Sequence, residues 1–258
     1  MSYAVLLTVA YEGTEFHGFV RQEGLRTVED TLLGAVRELD GSITRISGVS
    51  RTDAGVHAKS QMVAFDATRE IEPRGWVLGV NRHLPDDVAV RAATLLPGGF
   101  VPRFASERKR YRYRLLMDKV RDPFQRNRAW KIESRLDLAL VRSEASALVG
   151  THDFRAFRSA KDEREQTTRT LFSVDVTEPE PQLCDVAVTG TAFMHNMVRI
   201  IVGTLVDVGL GRKEPGAVAR ALASGNRGDA GMTAPAHGLT LEWVELRLPE
   251  GTHESWPH

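Results

Sequence analysis

Hydrophobic and polar positions in the first part of the chain follow a strand pattern and then a helix pattern. The apolar run "AVLLTVAYEG" predicts a strand, and Thr27 with Asp30 forms an acidic variant of the capping box before a helix that ends near Gly41. The next predicted elements are the strands "ITRIS" and "SQMVAF", a short helix from Pro73 through Trp76 to Val80, and the strand "VAVRAATLL". This part of the sequence therefore predicts the order β-α-β-β-α-β.

The second part of the chain repeats this order with one additional helix. Strict alternation in "RKRYRYRLLM" predicts a strand with its arginines on one face and with Tyr111, Tyr113 and Leu115 on the other. The remaining predicted elements are a helix with Leu138, Val141, Ala145 and Leu148 inward, the strands "TLFSVDVTE" and "CDVAVTG", a helix with an apolar face from Phe193 to Val208, a helix after Pro215, and the strand "LTLEWVELRL".

Each unit of this order is typical of the ferredoxin-like arrangement, in which helices lie on one side of an antiparallel sheet. We therefore predict an α+β fold of two such units, joined through a largely antiparallel sheet with helices on one face. The predicted divisions are an N-terminal subdomain of residues 1–102, a C-terminal subdomain of residues 103–250, and a polar tail of residues 251–258.

The composition is that of an ordinary globular protein, because 42% of the 258 residues are hydrophobic and 26% are charged. The single cysteine, Cys184, excludes an intramolecular disulfide and a cysteine-based zinc cluster, and it suits a reducing cytoplasm. The longest apolar segment, "MVRIIVGTLVDVG", is shorter than the roughly 20 residues that cross a bilayer, and the amino terminus lacks the pattern of a secretory signal. We therefore expect a cytoplasmic protein without a membrane span.

Charge is balanced overall but unevenly distributed. The 34 basic and 34 acidic side chains cancel, so the net charge alone does not indicate a nucleic-acid partner. Between Arg103 and Arg142, however, 13 Lys and Arg stand against 5 Asp and Glu. Such a run forms either a solvated face or a surface that binds a polyanion.

The stretch "GVSRTDAGVHAKSQMVAF" places a carboxylate, Asp53, in the loop between the second and third predicted strands. Asp and Gly are common in turns, which is the simplest explanation of their presence here. Loops held by a rigid sheet also carry reactive groups, and the small residues beside Asp53 would let a flat ligand approach the backbone. Arg51 would favour the ionised carboxylate. Since a turn alone does not explain Arg51 and His57, the loop is a candidate catalytic site.

The chain resembles the TruA-type tRNA pseudouridine synthases. The sequence "SRTDAGVHA" is similar to that family's "GRTDAGVHA" and matches it without a break from Arg51 to Ala58. Further segments that are similar to family motifs, in the family's order, are "YEGTEFHGF", "TVEDTL", "NRHLPDDVAV", "RFASERKRYRY", "GTHDFRAF", "TAFMHNMVRIIVG" and "APAHGLTLEWV". The resemblance covers all but the last residues, "EGTHESWPH".

This resemblance implies an isomerase that converts uridine to pseudouridine at nucleotides 38 to 40 of the tRNA anticodon stem-loop. It also implies that no cofactor is needed and that a homodimer forms, with one tRNA contacting both subunits. The family's essential aspartate corresponds to Asp53. Three roles fit this carboxylate: attack on the sugar, addition to the base, or removal of a sugar proton.

The resemblance assigns roles to further residues. Arg51 would hold the flipped nucleotide and pair with the aspartate, and Tyr111 would remove the proton from carbon 5 of the reattached uracil. Arg199 would lie near the active site and contact substrate. Tyr111 is also a candidate for substrate binding, together with His57, Arg110 and Arg112. The simpler alternatives are a core position for Tyr111 and a helix-surface ion pair for Arg199.

Three positions depart from the family pattern. Phe19 and Val20 stand where the family usually has Trp and Gln, and Ser50 replaces the glycine before the signature arginine. A positive φ angle at residue 50 would be awkward for serine. We expect these departures to affect details of substrate recognition more than the chemistry.

Two other classes of function are alternatives. An RNA-binding module without activity would have lost Asp53 or Tyr111, and both are present. A hydrolase with Asp53 as nucleophile would need a second carboxylate as acid-base partner, and none stands at a recognisable spacing. No metal site is predicted, because the candidate ligands lack the spacing of a metal site. These candidates are His57, His83, His152 and Asp153.

Overall fold

The structure is a computed structural model that describes residues 3–160, 162, 165–250 and 254–256. The elements in the first part of the chain are β1 (Tyr3–Tyr11), α1 (Val28–Leu39), β2 (Ser47–Gly48), β3 (His57–Ala67), α2 (Pro73–Asn81), β4 (Val88–Pro97) and α3 (Pro102–Ala105). The elements in the second part are β5 (Ser106–Met117), β6 (Trp130–Ile132), α4 (Leu138–Ser146), β7 (Gly150–Asp153), β8 (Thr168–Glu180), β9 (Leu183–Gly190), α5 (Met197–Gly209), α6 (Ala217–Ser224), β10 (Leu239–Leu246) and β11 (Glu254–Trp256).

The chain forms two compact units. The first comprises the residues up to Glu107 together with those from Leu241 onward, and the second comprises Arg108–Thr240. Most of β10 therefore belongs to the first unit, whereas the sequence-based division after residue 102 assigns it to the C-terminal subdomain. Part of the predicted polar tail lies outside the described residues, and its described part, β11, pairs antiparallel with β4.

In the first unit, the elements from β1 to β4 have the predicted order β-α-β-β-α-β. The strand β1 is central, because it pairs antiparallel with β3 on one side and with β4 on the other. The short strand β2 pairs antiparallel with β3, which gives the order β4-β1-β3-β2 of a split, ferredoxin-like unit. Trp76 of α2 is fully buried and packs edge-to-face on Phe65 of β3, with 5.3 Å between ring centroids. This packing attaches α2 to the sheet.

In the second unit, β5 pairs antiparallel with β9, β9 with β8, and β8 with β7. The short strand β6 runs parallel to β5. The helix α5 contacts both α4 and α6, and nearly all of its residues are buried, as its apolar sequence predicts. The alternation predicted for β5 is confirmed, because Tyr113 and Leu115 are fully buried on one face.

The predicted α+β class is confirmed by mostly antiparallel strands and by six helices among the described residues. One helix begins later than its apolar pattern predicts. The helix α5 starts at Met197 rather than near Phe193, because Asn196 has a φ angle of 62° and this left-handed backbone interrupts a right-handed helix. None of the helices in the described ranges is long and apolar enough to cross a membrane.

Candidate active site

Asp53 lies in the loop of residues 49–56, between β2 and β3. The loop contains a β-turn in which the N–H of Val56 donates to the carbonyl oxygen of Asp53 over 3.1 Å. Gly55 has a φ angle of 78°, as the third position of a type II turn requires. Asp53 is half-buried and Arg51 is exposed. The turn therefore presents the carboxylate at its first position, with a cation two residues before it.

The segment between β1 and α1 holds this loop through backbone hydrogen bonds. The N–H of Phe19 donates to the carbonyl oxygen of Thr52 over 3.0 Å. The N–H of Gly55 donates to the carbonyl oxygen of Phe16 over 3.2 Å. Because these bonds lie on both sides of Asp53, they fix the backbone that carries the carboxylate.

Two further contacts bring the end of β1 against the loop. The hydroxyl groups of Tyr11 and Thr52 share a hydrogen bond of 2.7 Å. Gly13 lies so close to the loop that a Cβ atom there would be 2.0 Å from the carbonyl oxygen of Val56. Any side chain at residue 13 would push the two segments apart, which accounts for the glycine in "YEGTEFHGF".

His57 lies beneath the loop rather than at its surface, with 6% of the residue exposed. The N–H of Gly13 donates to its Nδ1 atom over 2.9 Å. The Glu12 carboxylate lies 3.4 Å from the same nitrogen. His57 helps to hold the loop in place, and its predicted contact with substrate stays a prediction.

The backbone at Ser50 is held by a side chain from β3. The N–H of Ser50 donates to Oε1 of Gln61 over 3.1 Å, and Nε2 of Gln61 donates to the carbonyl oxygen of Ser50 over 2.7 Å. Ser50 is 5% exposed and Gln61 is fully buried. Asn196 is the one non-glycine residue with a positive φ angle in the described ranges, so serine is compatible with the backbone at residue 50. Phe19 is also buried and keeps an aromatic side chain beside the loop.

In the second unit, Tyr111 lies on the buried face of β5 and is 8% exposed. Its ring packs edge-to-face on Phe193, with 5.1 Å between centroids. Tyr113, two residues further along the same face, is fully buried, and its hydroxyl donates to the carbonyl oxygen of Pro235 over 2.7 Å. Burial raises the pKa of Tyr113 far above its ordinary value, although the nearby Arg199 acts in the opposite direction. Tyr113 therefore has a structural role, and its substitution can serve as a control for substitution of Tyr111.

Arg199 lies in the first turn of α5 and is half-buried. Its Nε atom donates to the carbonyl oxygen of Ala234 over 2.7 Å, and one terminal nitrogen donates to Oδ1 of Asn196 over 2.7 Å. The N–H of Ala234 donates in turn to the carbonyl oxygen of Arg199 over 3.1 Å. These two acceptors orient the guanidinium.

The arginines on the other face of β5 have carboxylate partners. Arg110 donates to Asp175 over 2.9 Å, and Arg112 lies 3.4 Å from Asp185. Arg114 makes two bonds of 2.7 Å to the same Asp185, which is 7% exposed. The acids lie on β8 and β9, so the spacing within β5 did not reveal these pairs. The predicted contacts of Arg110 and Arg112 with substrate stay predictions. A substrate phosphate would have to compete with these carboxylates for the two guanidinium groups.

The segment after β5, residues 118–128, presents charges that are better exposed. Asp118 and Asp122 each accept a hydrogen bond of 2.8 Å from the backbone N–H two residues later, which holds the segment in compact turns. Phe124 is 89% exposed. The exposed cations of this segment are Lys119, Arg121, Arg126 and Arg128. The basic run predicted from the sequence is therefore most accessible in this segment.

Metal ligands do not cluster in the described ranges, where no group of three or more His, Cys, Asp or Glu side chains could hold an ion. Asp153 accepts a hydrogen bond from the Thr167 hydroxyl over 2.6 Å and another from the N–H of Arg155 over 3.0 Å. The Thr167 bond is the main reason that the pKa of Asp153 lies below its ordinary value. The ring of His152 lies edge-to-face on Phe154.

The predicted site residues form two groups, one in each unit. In the first unit, Arg51, Asp53 and His57 lie within seven consecutive residues of the same loop and the start of β3. In the second unit, Tyr111 faces the core and lies on the opposite face of β5 from Arg110. The contact of Gln61 with Ser50 was missed, because a buried glutamine in a strand has no signal in a single sequence.

Comparison with known proteins identifies relatives along most of the chain. A family model described as tRNA pseudouridine synthase matches residues 7–98 and 145–245. The tRNA pseudouridine synthase A of Bacillus subtilis (strain 168) is 42% identical over 91% of this chain and 95% of its own length. The protein of that name from Geobacter sp. (strain M21) is 40% identical over 95% of this chain and 99% of its own length. Among solved structures, a chain in "Structure of H/ACA RNP bound to a substrate RNA containing 2'-deoxyuridine" is 9% identical, with a TM-score of 0.38 over 78% of this chain and 43% of that one.

Proposed function

Because the chain belongs to the tRNA pseudouridine synthase family, we propose that its substrates are the uridines at nucleotides 38 to 40 of the tRNA anticodon stem-loop. The enzyme is an isomerase: the bond between the sugar and nitrogen 1 of uracil breaks, and the same sugar carbon bonds to carbon 5. The proton on carbon 5 is then lost, and nitrogen 1 gains one. Atoms and charge balance without an oxidant, a reductant or a cofactor.

The observation that carries the proposal is the way Asp53 is held. Asp53 is the first residue of a β-turn, and the backbone on both sides of Asp53 is hydrogen-bonded to the segment between β1 and α1. The carboxylate is therefore attached to a rigid part of the first unit. Preorganised geometry of this kind is what an enzyme needs to act on one sugar carbon. We propose that Asp53 is the catalytic carboxylate in one of its three possible roles.

We propose that Arg51 holds the flipped nucleotide and pairs with Asp53 when the base is in place. A base that leaves the helical stack must be replaced there and retained in the enzyme. Arg51 is exposed and lies two residues from the carboxylate, which suits a side chain that changes partners when RNA binds. Its guanidinium has the planar, multiply donating form that recognises phosphate and base edges.

Tyr111 is proposed to remove the proton from carbon 5 after the uracil has reattached. The edge-to-face contact with Phe193 fixes its ring, so that only the hydroxyl distinguishes a catalytic role from a packing role. Arg199 is proposed to contact the substrate, with its guanidinium oriented by its bonds to Ala234 and Asn196.

We propose that RNA binding uses the exposed cations of residues 118–128 more than the paired arginines of β5. A phosphate must displace a carboxylate to reach Arg110 or Arg112, whereas Arg121 and Arg126 are exposed. Displacement of a partner adds a cost that an exposed cation does not have. The exposed ring of Phe124 in the same segment suits stacking on a base.

Family likeness supports two further proposals, a homodimer in which one tRNA contacts both subunits and a cytoplasmic location, where tRNA is found. Light scattering tests the first, with twice the chain mass of 28.6 kDa expected. A monomer that is fully active would contradict it.

The experiment that tests the proposed substrate is incubation of the protein with a tRNA transcript, followed by chemical mapping of every pseudouridine. New signals confined to nucleotides 38 to 40 are expected. Signals elsewhere would refute the proposed positions. A protein that binds the transcript and modifies nothing would instead favour the alternative of an RNA-binding module without activity.

A further inference from the structure

Gln61 makes a two-point contact with the residue that precedes the catalytic loop. Its fully buried amide accepts from the N–H of Ser50 over 3.1 Å and donates to the carbonyl oxygen of Ser50 over 2.7 Å. Both backbone groups of a 5% exposed residue are therefore satisfied by one side chain. Without Gln61, those two groups would be buried without these partners, which is costly.

The contact occurs where the pairing of β2 with β3 ends. Ser47 and Gly48 pair with Ala64 and Val63, and the N–H of Val49 still donates to the carbonyl oxygen of Met62 over 3.0 Å. At the next residue the backbones separate, and the Gln61 side chain bridges the gap that this leaves. The chain then enters the loop that contains Arg51 and Asp53. The direction in which it leaves the sheet depends on how Ser50 is held.

We propose that Gln61 is a positioning residue for isomerisation, which acts by fixing Ser50 and through it the direction of the Arg51–Asp53 backbone. This inference rests on the proposed role of Asp53. Phe19 and Tyr11 hold Thr52 on one side of Arg51, and Gln61 holds Ser50 on the other side, so that the contact with Gln61 completes the fixing of this backbone. A displacement of about 1 Å at a reacting group is enough to slow an enzyme by roughly 10²-fold.

The first unit contains a matched control for this contact. Nδ2 of Asn81 donates to the carbonyl oxygen of Val90 over 2.8 Å, and the N–H of Val90 donates to Oδ1 of Asn81 over 2.8 Å. This is the same two-point contact between an amide side chain and a backbone, but it joins α2 to β4 and not to the catalytic loop. Loss of either contact should lower stability. Only the contact of Gln61 lies beside the catalytic loop, so only its loss should also lower the reaction rate.

The test compares Gln61→Met with Asn81→Leu, because each keeps the approximate size of the side chain and removes the amide. Single-turnover rates are measured with saturating enzyme on a full tRNA transcript in which all pseudouridine is counted, together with tRNA affinity and urea unfolding. We expect both variants to unfold at lower urea. We expect Gln61→Met to be slower by roughly 10- to 10²-fold with nearly unchanged affinity, and Asn81→Leu to keep a rate within about threefold of wild type.

A normal rate in Gln61→Met, or an equal loss of rate in both variants, would overturn the proposal. Should Gln61→Met fail to fold, Gln61→Glu and Asn81→Asp form a second pair with the same expected contrast, because a carboxylate keeps the acceptor and loses the donor. Because all pseudouridine is counted, a target other than nucleotides 38 to 40 would refute that assignment and leave the test of Gln61 unaffected. An undiminished rate in Asp53→Asn would refute the role of Asp53 independently of Gln61.

Discussion

The hydroxyl of Tyr11 lies 2.7 Å from the hydroxyl of Thr52, so the last residue of β1 is hydrogen-bonded to the residue before Asp53. The central strand of the first unit is thereby connected to the loop that carries Asp53. Tyr11 is 5% exposed and Thr52 is 7% exposed, and hydrogen bonds in such surroundings are costly to break.

A double-mutant cycle measures this connection. We expect Tyr11→Phe and Thr52→Val each to lower the free energy of unfolding, and the double variant to lose less than the sum of the two. The expected coupling is about 0.5–1.5 kcal/mol, the usual net contribution of one hydrogen bond. Additive losses in urea unfolding would show that the two hydroxyl groups do not stabilise each other.

Tyr111 and Tyr113 lie on the same face of β5, and one substitution separates a catalytic role from a packing role. We expect Tyr111→Phe to slow product formation by roughly 10²- to 10⁴-fold, as loss of a general base does, while the retained ring preserves binding. The control is Tyr113→Phe, which loses the bond to Pro235 and should lower stability without this loss of rate. Single-turnover kinetics at saturating protein distinguish the two. A rate for Tyr111→Phe within about threefold of wild type would show that Tyr111 has a packing role only.

Binding of tRNA should depend on salt, because each phosphate contact releases counterions. We expect replacement of both Arg121 and Arg126 by Gln to weaken binding and to reduce the slope of log affinity against log salt by about one per lost contact. The matched control replaces Arg37 and Arg45, which are also exposed, and should change the slope less. A flat salt dependence of the wild-type protein would contradict electrostatic binding, and equal effects of the two pairs would contradict the role of residues 118–128.

The environment of Asp40 determines how the stability of the first unit should depend on pH at acidic values. Burial opposes its ionisation, but hydrogen bonds from Ser42, Thr68 and Arg69 outweigh burial and hold the pKa of Asp40 well below its ordinary value. Because the folded-state pKa is lowered, the stabilisation is present above the unfolded-state pKa of about 3.9 and is lost as pH falls toward the folded-state value. We expect Asp40→Asn to be less stable than wild type near neutral pH and this difference to shrink below about pH 4. Urea unfolding across this range checks the expectation, and a difference independent of pH would contradict it.

Local patterns in the sequence predicted the elements that repeat over several residues. Thr27 caps α1 through its side chain, as the capping box indicated, and the alternation around Tyr113 gave the buried face of β5. Gly55 has the positive φ angle that its turn needs. These features depend on neighbours within a few positions, which a single sequence displays directly.

Features that depend on distant partners were not predictable in this way. The acid that pairs with Arg114 is 71 residues away in the chain, and its strand must be placed beside β5 before the pair can be recognised. The left-handed backbone of Asn196, which delays the start of α5, is a local feature, but it was also missed because it leaves no trace in the pattern of apolar residues. The contact of Gln61 with Ser50 likewise depends on how two strands separate.

The proposed catalytic role of Asp53 is tested most directly by the rate of pseudouridine formation in Asp53→Asn. The substitution removes one charge from a half-buried loop position and little packing, so fold and tRNA affinity should be nearly unchanged. Asp30→Asn, which removes an exposed carboxylate paired with Arg21, serves as the control and should retain the wild-type rate. We expect no detectable pseudouridine from Asp53→Asn with tRNA fully bound, whereas turnover at a rate comparable to wild type would contradict the proposed role of Asp53.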